Sequence, residues 1–323
     1  MFAPLCIGFR KIVLFIYISR NINHIMHKLL VLFVSFFSLC NAQTNRFIYE
    51  YKFVPNVKEK DSVRTNLMAL DITDKGSSYK SLRKMQRDSL IRERVLQSAA
   101  AGTALTLTSN FTGGTVVNHE VTKEYPDYKV FLIEQINSDI YKIADDKKIN
   151  WQLSPETQKI GDYTAQKATT SFGGREWVAW FTTELPFPDG PYKFHGLPGL
   201  IVKSEDTTGS HIMTLVANKK IQTSTEMPNE VARGGARITF GRPAIPVTET
   251  QFRKAWKDYL ADPAKEVRKN MGGSTNGNVT TVIVYEDAKG NRIDPAQRIR
   301  SIEENVKKRL ETDNNKIEPD LFQ

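Results

Sequence analysis

From residue 43 onward most of the chain alternates apolar and polar positions with a period of two. In residues 47–53 (FIYEYKF), Phe47, Tyr49, Tyr51 and Phe53 fall on one face and Ile48, Glu50 and Lys52 on the other. That is the pattern of a strand buried on one side. Similar runs occupy residues 66–73, 130–136, 140–144, 149–153, 163–171, 177–184, 200–205, 211–217 and 279–285. The connections at 74–76, 145–146, 171–174 and 206–209 are short and rich in turn residues. Short connections join antiparallel neighbours, because a parallel pair needs a long crossover. The expected fold is mainly β (α+β): a single large curved antiparallel sheet or half-barrel with helical inserts. A β-sandwich is the alternative. Curvature is expected because long antiparallel sheets twist and curl.

Three stretches change period. Residues 78–98 lack helix breakers and carry an apolar stripe through Leu82, Met85 and Leu90. Thr248 and Gln251 have capping-box spacing ahead of Phe252, Trp256 and Leu260. Ile299, Ile302, Val306 and Leu310 form a one-sided stripe just after Pro295. Residues 103–118 and 227–241 are rich in Gly, Thr and Asn and are expected as loops. The organisation read from these patterns is a leader over 1–42, a β domain with helical inserts over 43–294, and a C-terminal amphipathic helix and tail over 295–323.

The leader is set apart by charge and hydropathy. Residues 1–42 hold Arg10, Lys11, Arg20 and Lys28 and no acid. From Met26 a basic start precedes an apolar run at 29–39 and then Cys40, Asn41 and Ala42. A basic n-region, an apolar run of roughly 7–15 residues and a small residue before the cut describe a secretory signal peptide. Such a run is shorter than the roughly 20 residues of a membrane span. Residues 26–42 are thus expected as a signal peptide cleaved near Ala42, with 1–25 an upstream extension, and the protein as exported to the periplasm or cell surface. Without residues 1–42 the formal net charge falls from +9 to +5, since the four basic residues leave and no acid does. Cys6 and Cys40, the two cysteines, also leave. That excludes a disulfide framework, a thiolate nucleophile and a cysteine metal site. The remaining charge is too mild and too scattered for a nucleic-acid surface. Arg83, Lys84, Arg87, Arg92 and Arg94 cluster but are interrupted by Asp88 and Glu93, as on a solvated helix face.

The densest signal is residues 160–206. Two corners are legible there, at Phe187-Pro188-Asp189-Gly190 and at Leu197-Pro198-Gly199-Leu200. The second has the Pro-Gly order of a type II turn. Gly196, Leu197, Pro198, Gly199, Leu200 and Ile201 resemble the hexapeptide that names the GLPGLI family of exported Bacteroidetes proteins. The lead-in through Tyr163–Ala168, Gly174-Arg175, Glu176–Thr182 and Gly190–Phe194 is similar as well. The resemblance implies export and a shared architecture but no catalytic residues. Physically, Pro198 and Gly199 are expected to make a corner whose flanking Leu197, Leu200 and Ile201 plug the sheet. Trp177, Trp180, Phe181, Tyr192 and His195 are the candidate lining of a binding cleft beside it. Alternation puts Trp177 and Phe181 on one face and Trp180 on the other, so one tryptophan is expected to be exposed or covered by a helix.

Catalytic spacing is not evident. His119, His195 and His211 show no zinc-protease pattern, and no nucleophile elbow, P-loop or dinucleotide fingerprint occurs. The pairs Asp145-Asp146 and Glu303-Glu304 are expected as solvated charge. Neither a cofactor nor a metal is expected. Asp61-Ser62, Asp88-Ser89 and Asp206-Thr207 resemble O-glycan acceptor sites of exported Bacteroidetes proteins. The expected function is non-enzymatic binding of an apolar ligand or an outer-membrane partner. A structural or interaction module with a self-filled core is the alternative, and a hydrolase the third reading.

Overall fold

The computed structural model describes residues 43–101, 117–222, 230–233, 236–239, 243–270, 274–276, 279–281 and 292–323. The expected leader over 1–42, and the parts of the expected loop and strand at 102–116 and 282–291, lie outside the described residues. Alternation becomes strands where expected. β1 (Gln43–Phe53) pairs antiparallel with β2 (Arg64–Ile72), with Tyr49 opposite Met68 and Phe47 opposite Leu70. All four of these side chains are buried. The chain continues through β3 (Gly76–Ser81), β4 (Glu120–Glu124), β5 (Lys129–Ile136), β6 (Asp139–Asp145), β7 (Gln152–Ile160), β8 (Tyr163–Phe172), β9 (Arg175–Thr182), β10 (Leu200–Asp206) and β11 (His211–Gln222). β12 (Glu230–Arg233) and β13 (Ala236–Thr239) pair with each other, as do β15 (Ser274–Asn276) and β16 (Val279–Thr281). β14 (Ile245–Thr248) joins the main sheet beside β6.

The main sheet has twelve strands in the order β14-β6-β5-β4-β3-β2-β1-β11-β10-β9-β8-β7. It is two meanders: β1 to β6 steps outward, and β7 to β11 returns from the far edge to lie beside β1. This order forces curvature. β6 and β7 stand ten places apart, about 48 Å in a flat sheet at ~4.8 Å per strand. Yet only residues 146–151 join them, and seven Cα steps reach at most about 27 Å at ~3.8 Å each. The sheet must curl so that its two halves face each other, and the long-range contacts below cross that interior. It stays open, with β14 and β7 as edges. Each edge strand carries a proline, Pro246 and Pro155, which an edge tolerates because the missing N–H faces no partner. Around Pro155 the β7–β8 register shifts.

The inner face carries one large core. Tyr49, Met68, Leu70, Tyr79, Leu132, Trp177, Phe181 and Phe194 are almost fully buried in it. Each such side chain contributes about 1.5–3 kcal/mol by leaving water. Of the helices, α1 (Leu82–Ala101) follows β3 directly, α2 (Glu249–Ala261) lies against β6 and β14, α3 (Lys265–Asn270) is one short turn, and α4 (Pro295–Thr312) precedes the C-terminal segment. The Thr248–Gln251 capping box forms in both directions, and α2 buries Phe252, Trp256 and Tyr259. In α4 only Val306 is buried, and Leu310 is exposed. None of the described helices is long and apolar enough to cross a membrane.

Several expectations are corrected. The sheet is mixed, because β14 runs parallel to β6, and twelve of the described strands form one main sheet rather than the two faces of a sandwich. Residues 78–81, expected as helix, are the end of β3: Tyr79 points into the core, and Gly76 closes the turn with its Cα facing the Lys123 carbonyl. A Cβ there would sit 2.1 Å from that oxygen. β7 begins at Gln152, three residues later than expected, leaving Ile149 and Trp151 to pack on the core from the connection. Part of the expected loop at 227–241 is the β12–β13 hairpin, for which the Gly234-Gly235 pair was the sequence signal.

Candidate functional site

The connection from β9 to β10, residues 183–199, leaves the surface at its middle, where residues 189–194 are buried. It folds into the curl of the sheet and is held there by buried polar contacts. Phe187 meets Phe47 of β1 edge to face, with centroids 5.4 Å apart. Asp189 forms an isolated bridge with His195 that closes a small loop. Both proline corners are three-residue turns: Asp189 N–H donates to Phe187 O at 2.7 Å, and Gly199 N–H to Leu197 O at 2.8 Å. The second therefore differs from the expected type II turn. Leu200 N–H donates instead to Leu185 O at 3.0 Å, and the Gly199 Cα lies so close to β9 that a Cβ would be 2.1 Å from Thr182 O.

Ionic contacts fix this plug. Lys123 of β4 donates from Nζ to Asp189, to Gly190 O at 2.7 Å and to Phe194 O at 3.0 Å. The Tyr125 hydroxyl donates to the other carboxylate oxygen of Asp189. Three acceptors match the three protons of an ammonium, so burial, which pulls the Lys123 pKa down, is offset by a complete shell. Lys193 pairs with Asp145 of β6 at 2.6 Å and with Glu318 of the C-terminal segment at 2.5 Å. Tyr192 donates to Glu318 as well, and Lys147 pairs with Glu249 at 2.7 Å. The carboxylates of Asp145, Glu249 and Glu318 lie within 4.8 Å of one another. They are the described group with metal-ligand spacing, but Lys147 and Lys193 already supply two positive charges among them.

The C-terminal segment, residues 313–323, is stapled over the same interior. Arg175 of β9 donates to Lys316 O at 2.6 Å, Ile317 O at 3.2 Å and Asn315 Oδ1 at 2.5 Å, while pairing with Asp206 at 3.0 Å. Asn315 Nδ2 reaches back to Val54 O at 2.8 Å.

Between plug, C-terminal segment, α2, α4 and the sheet remains a cavity of about 480 Å³, within the roughly 300–1,000 Å³ of small-molecule pockets. Its deep walls are aromatic: Tyr51, Phe53, Tyr192, Trp256 and Tyr259. Its polar lining includes His119, His211 and Asn315, and its charged lining is Glu134, Asp313, Lys316 and Arg309. His211 is buried beneath Tyr51 and Phe53, with ring centroids 6.0 and 6.5 Å away. The Tyr51 hydroxyl is 2.7 Å from His211 Nδ1; burial raises this phenol's pKa, so it serves as the donor and leaves the imidazole proton on Nε2. His119 Nε2 is buried without a hydrogen-bond partner among the described residues, and the His211 ring lies against the Asn315 backbone. Burial, then the charge of Arg175, lowers the His211 pKa to about 3. Burial, then Lys193, Lys316 and Lys84, does the same for His119. Both imidazoles are neutral. Glu134 goes the other way: burial raises its pKa to about 7, against the pull of Lys316.

Of the five residues proposed from the sequence, the structure brings only Tyr192 to this cavity. Trp177 and Phe181 pack in the inner core, Trp177 against Phe194 at 4.8 Å between centroids. His195 is half-buried, stacked on Tyr128 at 4.8 Å, and accepts from Trp151 Nε1 at its carbonyl. Trp180 is on the outer face, 5% exposed. It is covered neither by solvent nor by a helix, but by Ile160, Ala165 and Val202 of neighbouring strands. Within the hexapeptide Leu197, Leu200 and Ile201 are buried. His119, Glu134, His211 and Arg309 were not singled out from the sequence as site residues. They lie on four separate segments, and no spacing rule links them.

The family described as "Protein of unknown function (Porph_ging)" matches residues 173–203, a stretch that contains the hexapeptide. No curated protein matches the chain. Two solved structures of PNGF-II, in space groups P21 and C2, are similar over part of the chain. The P21 form gives 16% identity and a TM-score of 0.43 over 66% of this chain and 33% of that one; the C2 form gives 18% and 0.39 over 57% and 29%. This chain thus spans about a third of PNGF-II.

Proposed function

We propose that this chain is a non-catalytic binding protein that holds one small amphipathic molecule in the cavity beneath its C-terminal segment. The observation that carries this reading is a cavity of about 480 Å³ that aromatic side chains wall and that His119, Glu134, His211, Lys316 and Arg309 border. Glu134, Asn315, Lys316 and Arg309 supply polar partners at the same space, as small-molecule pockets pair apolar walls with a few polar groups. The aromatic walls supply apolar contact on either side. The ligand is therefore amphipathic, where the sequence suggested a wholly apolar one. Export to the envelope, read from residues 26–42, belongs to this proposal and is checked by N-terminal sequencing of the secreted chain.

The test is native mass spectrometry of the chain expressed with its own leader and purified after export. Extra mass that is lost on denaturation, and absent from Gln135→Trp, which puts bulk at the exposed rim of the cavity, supports binding. A bare chain mass, with no small molecule retained on adding a fragment set, overturns it. That outcome favours a second reading, a self-filled interaction module. The observation behind this alternative is that the β9–β10 connection already buries the protein's own Tyr192, Phe194 and Leu197 in the interior.

A further inference from the structure

Charges of both signs line the cavity, Glu134 and Asp313 with Lys316 and Arg309. Every charged group that perturbs His119 is a cation: Lys193 on the plug, Lys316 on the C-terminal segment and Lys84 on α1. Lys193 is neutralised by Asp145 and Glu318, and Lys316 is paired with Asp313 at 2.7 Å. Arg309 is different. It sits on the exposed face of α4 at the rim, and its Nη2 donates to the Tyr259 hydroxyl at 2.9 Å. Among the described residues no carboxylate lies within 4 Å of its guanidinium. A guanidinium keeps its charge at any relevant pH and offers a planar fork suited to a carboxylate. The cavity therefore has aromatic walls, neutral imidazoles beside them and, at the edge, an arginine that holds a tyrosine hydroxyl but no carboxylate.

Glu134 lines the same space on β5. The groups that face it are Lys316 and Asp313 of the C-terminal segment, Lys84 of α1, the Gln135 backbone and Tyr192 of the plug. A second anion beside this carboxyl cannot share the cavity with it in ionised form without strong repulsion, because like charges in a desolvated site disfavour double ionisation.

Resting on the binding reading above, we infer that the ligand is an organic acid with an aryl or short alkyl body, whose carboxylate docks at Arg309 and which enters together with one proton taken up by Glu134. The balance is simple: the ligand anion, ionised Glu134 and one proton give the bound anion beside a neutral carboxyl. The histidines take no part in it, since both stay neutral above about pH 5 given pKa values near 3. Above neutrality the free protein must gain the proton on binding, so affinity falls as pH rises.

The probes are matched pairs of a carboxylic acid and its primary amide, with phenyl-alkyl and C4–C10 alkyl bodies. Titrations are followed by tryptophan fluorescence, Trp256 lying in the wall, and by calorimetry at pH 6.5 and 8.5. At least one acid should bind about tenfold or more tightly than its amide. Its affinity should fall about five- to twentyfold between the two pH values. Arg309→Gln should erase the preference for acid over amide while leaving the amide unchanged. Glu134→Gln should flatten the pH profile and strengthen acid binding at pH 8.5. Arg309 is a surface residue, so its variant keeps the fold, checked by circular dichroism. Equal binding of acid and amide overturns this inference and leaves the cavity reading standing. A preference that survives with a flat pH profile overturns the coupled proton. Binding of no probe, with a bare native mass, overturns both readings.

Discussion

Lys123 and Asp189, sixty-six residues apart, form an ion pair whose side chains are 1% and 0% exposed. The pair joins β4 to the plug that fills the curled sheet, and it also organises the Gly190 and Phe194 carbonyls and the Tyr125 hydroxyl. An ion pair this deep repays its desolvation only when its remaining lone pairs and protons are satisfied, as they are here.

Removing one partner strands the other. Asp189→Ala should cost about 3–5 kcal/mol in urea unfolding at neutral pH. The double variant Lys123→Met/Asp189→Leu should cost clearly less than the two single changes added together. Additive single effects would show that the pair is not coupled.

Glycines at two turns should behave differently. Gly209 has φ of +69° and open space where a Cβ would go, so Gly209→Ala should cost only the left-handed backbone penalty, about 1–2 kcal/mol. Gly199→Ala places its Cβ 2.1 Å from Thr182 O, a backbone atom of β9 that cannot swing away. Its loss in melting temperature should be at least twice that of Gly209→Ala.

The buried histidines make the fold acid-sensitive. With folded pKa values near 3 against an ordinary 6.5, the unfolded chain binds more protons than the folded one between those limits. Stability is then full above about pH 6.5 and declines as pH falls toward 3. His119→Gln should lower the slope of stability against pH in that window by about one proton. An unchanged slope would mean that His119 titrates normally in the fold.

Arg175 is the staple of the C-terminal segment. Arg175→Ala removes the donors to Asn315, Lys316 and Ile317 and leaves Asp206 buried without its cation. Limited proteolysis should then release the C-terminal segment well before the β-sheet core is cut, whereas in the unaltered protein the two should resist together.

Much of the fold was legible in local patterns. The face of β1 carrying Phe47, Tyr49 and Tyr51, the Thr248 capping box and the buried corner at Leu197–Ile201 each depend on residues a few positions apart. Period-two burial, cap spacing and turn chemistry are local effects, and they survive whatever the tertiary context. The misjudged elements are those where context intervened. Residues 78–81 had helix-compatible composition but were captured by β2 and β4 on either side. Trp180 was expected to need water or a helix, and instead found Ile160 and Val202 across strands separated by twenty residues in sequence.

The cavity belongs to the second kind entirely. His119 precedes β4, Glu134 lies on β5, His211 opens β11 and Arg309 is on α4. They converge because the β6–β7 connection is too short for a flat sheet and so bends two meanders toward each other. Periodicity, turn residues and the Thr248–Gln251 spacing were enough to specify a large β-sheet, a turn-bound segment and one capped helix. Only the tertiary structure decided that the plug fills the sheet's interior, and that two neutral imidazoles, a carboxyl and an arginine border the space left over. Their burial, and the charges that set their protonation, are properties of neighbours brought together by chain reversal, which no pattern of adjacent residues records.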